Sequence, residues 1–158
     1  MSPKPHPVLM TLRVMWFAFV SNHPIFVFIV FFVASTNTDH PGPDENFNVM
    51  LTALSAVSVV MVILSLTARG FMMSRLSESA SVQQVASAYQ TGSILSWAFA
   101  EVVTINGFVL AFISMSPRTI LPFAVVGMVC NVLAFPRARD LASIDDAPPK
   151  DEPEGNAW

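Results

Sequence analysis

Four long apolar stretches, residues 14–34, 49–68, 92–113 and 119–135, limit what this chain can become. A helix needs roughly 20 mostly apolar residues to cross a hydrocarbon core of about 30 Å, and the fourth stretch sits at the short end of that requirement. Of the 11 acidic and 8 basic residues, only Glu101 falls inside a stretch. Backbone groups that face lipid must satisfy one another, so each stretch is predicted to be helical. A water-soluble domain is excluded on composition. The chain is 53% hydrophobic and 12% charged, whereas a soluble domain is about a quarter charged. The expected fold is therefore all-α, an integral membrane bundle of four transmembrane helices over residues 1–139.

The connections sort by charge. Asp39, Asp44 and Glu45 lie between the first two stretches, together with a Pro-Gly-Pro turn and no basic residue. Lys4 and Arg13 precede the first stretch, Arg69 and Arg75 follow the second, and Arg137 and Arg139 follow the fourth. By the positive-inside rule these basic places face the cytoplasm, so both termini are expected there. The location expected is the bacterial cytoplasmic (inner) membrane. The basic start and the small residues Ala34 and Ser35 resemble a cleavable leader, but the apolar run is too long and Ser21, Asn22 and Pro24 interrupt it. A retained anchor is expected instead. Pro24 should kink the first helix or loosen one of its turns. Residues 75–89 are polar yet carry helical spacing, so they extend the third helix or lie on the membrane surface. Residues 140–158 hold six acids, three prolines and one lysine. That composition predicts a disordered cytoplasmic tail able to dock a partner.

In such a chain the informative residues are polar ones at mid-span. A central carboxylate costs about 2.5–3.5 kcal/mol on insertion scales, which makes Glu101 a functional-site candidate. Two readings stand side by side: a reversible protonation site, or a neutral carboxyl that hydrogen-bonds a neighbouring helix. Ser96, Ala100, Thr104, Gly107 and Ala111 form one narrow stripe by the helical period, a small-residue seam suited to close helix packing. Glu101 stands at the edge of this seam, with Thr104 one turn on and able to reach it. Asn106 points to the far side of the same helix. Ser21, Asn22 and His23 form a second polar knot at similar depth. A His23–Glu101 pair would make a proton relay, and the competing reading has a neutral His23 satisfying carbonyls freed by Pro24 or a neighbouring side chain. Two ligands do not make a metal site. Cys130 stands alone, which excludes an intramolecular disulfide, and with Asn131 it reads as packing. No nucleophile–base pair, phosphate-cradling glycine loop or zinc spacing is present. No catalytic residue or cofactor is therefore assigned, and a net charge of -3 gives no case for nucleic acid.

Residues 98–112, Ala-Phe-Ala-Glu-Val-Val-Thr-Ile-Asn-Gly-Phe-Val-Leu-Ala-Phe, resemble the ion-binding helix of rotor subunit c, the proteolipid of rotary ATP synthases. That family typically carries Ala-Leu-x-Glu-Ala followed by Ile-Tyr-Gly-Leu-Val. Glu101, Ile105, Gly107, Val109, Ala111 and Phe112 agree with it, while Asn106 stands at the usual tyrosine. Ala68, Arg69, Gly70 and Arg75 are similar to the end of that family's first helix and its cytoplasmic loop. The second stretch offers Ala53, Ser55, Ala56 and Ser58 in place of a glycine-rich repeat. The resemblance implies that Glu101 corresponds to the carboxylate that binds a proton or sodium ion.

These observations together lead to an expected membrane component that assembles through its third helix, as a homo-oligomer or with other membrane subunits. Glu101, Thr104 and His23 would form its proton-binding site within a transport or channel complex. The alternative is a non-transporting accessory or scaffold subunit.

Overall fold

The computed structural model describes residues 7–36, 46–76 and 80–137. Among them there are four α-helices and no strand: α1 (Pro7–Thr36), α2 (Phe47–Ser74), α3 (Val82–Ser114) and α4 (Ile120–Leu133). A 3-10 turn over Pro117–Thr119 leads into α4. The acidic connection between the first two stretches and the tail 140–158 fall outside the described residues, apart from its flanks.

Three of the helices, α1 to α3, are long and apolar enough to cross a membrane. They overrun the apolar stretches because hydropathy measures the lipid-facing length, whereas a helix continues until its backbone is capped. At the start of α3 the Ser81 hydroxyl accepts from the Gln84 amide, and the Gln84 side chain accepts from the Ser81 amide. This capping box starts the helix at Val82 and makes the polar segment a direct extension of α3. Pro24 lies within α1 without ending it, its ring exposed on the outer side.

The centre of the bundle is α3. Half of its apolar window is buried, against 11% for α1 and for α2. The helices α1 and α2 flank α3 without touching each other, and α4 packs against all three. Two apolar clusters fill the interior. Leu9, Leu12, Tyr89 and Trp97 form one end, and Val30, Ala111, Ile120 and Ala124 form the other. Between these clusters lies a band of hydrogen-bonded polar side chains.

The short helix α4 ends inside the bundle, where its last carbonyls need partners. Other helices supply them. The Trp16 indole donates to the Asn131 carbonyl at 2.7 Å, and the Trp97 indole donates to the Ala134 carbonyl at 3.1 Å. The Arg69 guanidinium also donates to the Ala134 carbonyl, at 2.5 Å. A cation at this point suits the negative end of the helix dipole. At its other end α3 stops on Met115, which adopts a left-handed conformation (φ 49°), and the chain turns into the 3-10 segment.

Candidate mid-bundle polar site

The polar band is built from one short patch on each of α1, α3 and α4. From α1, Asn22 donates its amide to Glu101 Oε1 at 2.5 Å. Its neighbour His23 is fully buried and turned further inward. His23 Nδ1 lies 2.6 Å from Thr104 Oγ1, and Asn131 Nδ2 donates to His23 Nε2 at 2.7 Å. With Nε2 accepting, the ring hydrogen sits on Nδ1 and is donated to the threonine oxygen. One imidazole therefore ties three helices together. Both of its nitrogens are spent on side chains rather than on carbonyls freed by Pro24.

The expected site residues divide into two adjacent pairs. Glu101 pairs with Asn22, and Thr104 pairs with His23 instead of reaching Glu101. No hydrogen bond joins His23 directly to Glu101. Glu101 is partly exposed at the outward edge of α3 and is the only acid among the described residues. Asn22 is its hydrogen-bond partner there. Either protonation state of the carboxyl can accept this bond.

The small-residue seam is covered within the chain. Ser96, Ala100, Thr104, Gly107 and Ala111 are all buried. A Cβ built on Gly107 would strike the Phe123 side chain of α4. Built on Gly127, it would lie 2.5 Å from Thr104 Oγ1, 2.7 Å from the Ala100 carbonyl and 3.0 Å from His23 Cε1. These glycines let α4 approach closely enough for Asn131 to reach His23. Asn106, on the other side of α3, donates to Ser58 of α2 at 3.0 Å. What α3 leaves outward is a different strip, which includes Glu101, Ile105 and Val109.

Two contributors escaped sequence reasoning. Asn131, read as a helix-interface residue, lies at that interface and there holds the histidine, with its Oδ1 buried and without a hydrogen-bond partner. Gly127, one helical turn before it, makes the approach possible. An amide one turn after a glycine, in an otherwise apolar helix, was the available signal.

Comparison of the chain with protein-family models, with curated proteins and with solved structures finds no match.

Proposed function

We propose that this chain is a four-span membrane protein that takes up and releases a proton at Glu101, as a component of a transport or channel complex in the bacterial inner membrane. The carrying observation is the setting of that carboxyl. It stands near the middle of an apolar helix, partly exposed, held by one amide and with no basic partner among the described residues. An acid within a membrane-spanning helix is by default a functional-site candidate. The resemblance of residues 98–112 to the rotor subunit c helix supports the same role. Arg13 and Arg69 both contact the chain just past α4, which supports a cytoplasmic placement for that end. Assembly through α3 then uses the strip around Glu101, Ile105 and Val109, because the seam is filled by α4.

Carbodiimide labelling of the purified full chain, read by mass spectrometry, tests this role. Modification at Glu101 is expected at low pH and lost as the carboxyl ionises, while Glu101→Gln inserts normally and removes the pH-dependent activity. The Asn22–Glu101 bond also suits a purely structural role in an accessory subunit. Labelling at Glu101 that ignores pH, together with an unaltered Glu101→Gln protein, would replace the first reading with the second.

A further inference from the structure

We propose that the end of the bundle where α4 stops binds the phosphodiester headgroup of an anionic phospholipid, seated beside Arg69 and flanked by Arg13 and Arg137. Pro117–Leu133 is the shortest apolar helical segment, and at about 1.5 Å per residue it spans about 25 Å. That falls short of a hydrocarbon core of about 30 Å, and a short span thins the adjacent leaflet and draws its headgroups inward. Phosphates are thereby brought toward the level of Ala134, where α2 and α3 continue past the end of α4.

The side chains at that level suit an anion. Arg69 is held in place by the Ala134 carbonyl and by the Tyr89 ring, whose centroid lies 4.9 Å from its guanidinium carbon. A cavity of about 100 Å³ opens next to it, lined by Ser65, Ser96 and Ala134 among others. Arg13 sits over the Phe135 ring at 5.8 Å, and Arg137 is exposed two residues beyond that ring. Both therefore reach the same turn of chain as Arg69. No acidic residue among those described competes at this end, since Glu101 is the only one and lies mid-bundle. Guanidinium groups fixed before binding, as those of Arg69 and Arg13 are, lose little on engaging phosphate.

The experiment uses the full chain in nanodiscs of equal phosphatidylglycerol and phosphatidylcholine, with bound lipid read by native mass spectrometry. Both leaflets carry the same lipids, so the orientation of insertion is immaterial. Preferential retention of phosphatidylglycerol is expected. Each arginine near a membrane surface is worth about five-fold in binding. The double variant Arg13→Gln/Arg137→Gln, which leaves the Arg69 cap of α4 intact, should therefore lose roughly ten-fold or more of the preference. Equal retention of the two lipids by the unaltered chain overturns the proposal, as does full preference in the double variant. Adding inorganic phosphate separates the two sources of the anion. Displacement of phosphatidylglycerol by millimolar phosphate would show a small-anion site and overturn the lipid assignment, whereas unchanged retention supports it.

Discussion

Gly127 stands where the backbone of α4 comes closest to both Thr104 and His23, and the whole polar band depends on that approach. A methyl group there meets the Ala100 carbonyl, which is main chain and cannot swing aside. Overpacking of this kind costs about 1–3 kcal/mol. Gly127→Ala is therefore expected to lower unfolding stability in detergent by that amount, whereas Gly70→Ala should be neutral or mildly stabilising, because nothing lies within 4 Å of a Cβ at Gly70. Asn131→Leu keeps the volume but withdraws the donor from His23 Nε2, and a loss of about 1 kcal/mol is expected. Equal stability for the two alanine variants would mean that the close approach carries no weight. Much of this site was legible in the sequence, because Asn22, His23, Glu101 and Thr104 interrupt apolar runs at one depth. The pairing among them was not. Which of Asn22 and His23 faces the acid depends on the rotation of α1 about its axis, and a glycine's meaning depends on what stands opposite it.

At the level of elements, helix length was harder to read than helix position. The apolar stretch beginning at Gly92 marks the part of α3 apolar enough to cross a membrane, but the helix itself starts ten residues earlier, at Val82. Its start signal, Ser81-Val82-Gln83-Gln84, is a capping-box pattern carried by hydrogen bonding rather than hydropathy. Ser81→Ala should cost about 1 kcal/mol of local stability. Hydrogen exchange is the suitable readout: amides in the first turn of α3 should exchange several-fold faster, with those around Thr104 unchanged. A first turn as protected as before would show that packing of Tyr89 and Val85 against α1 holds it without the cap. The end of α4 at Leu133 has both kinds of cause: Pro136, three residues on, cannot continue the helix, and the Ala134 carbonyl is met by Arg69 and Trp97 from distant parts of the chain.

For the whole molecule, the open question of topology turns on α4, the segment least able to cross a bilayer by length alone. Its packing is that expected of a segment that crosses. It begins beside Val30, where Ile120 joins the apolar cluster of the far end, and it finishes where Phe135 meets Trp16 and Arg13. Along α1 the step from Val30 to Trp16 is a rise of about 21 Å, close to the roughly 22 Å from Ile120 to Phe135. Its C-terminal carbonyls at Asn131 and Ala134 are met by tryptophan and arginine from longer neighbours, which would let a short helix cross without leaving them unpaired in lipid. Labelling of introduced cysteines by a membrane-impermeant maleimide, in a Cys130→Ala background, tests the arrangement. Cysteines replacing the exposed Thr36 and Asn46 should react in intact cells. Those replacing Ser81 and Arg137 should react only after permeabilisation. Arg13, Arg69 and Arg75 remain at that end in each variant, so the charge bias that sets orientation is kept. If the position 137 cysteine instead reacts together with position 36, α4 turns back within the bilayer. Arg13 and Arg69 could then no longer share an end with the residues that follow α4, and the cytoplasmic placement of the C-terminal segment would fall with that contact.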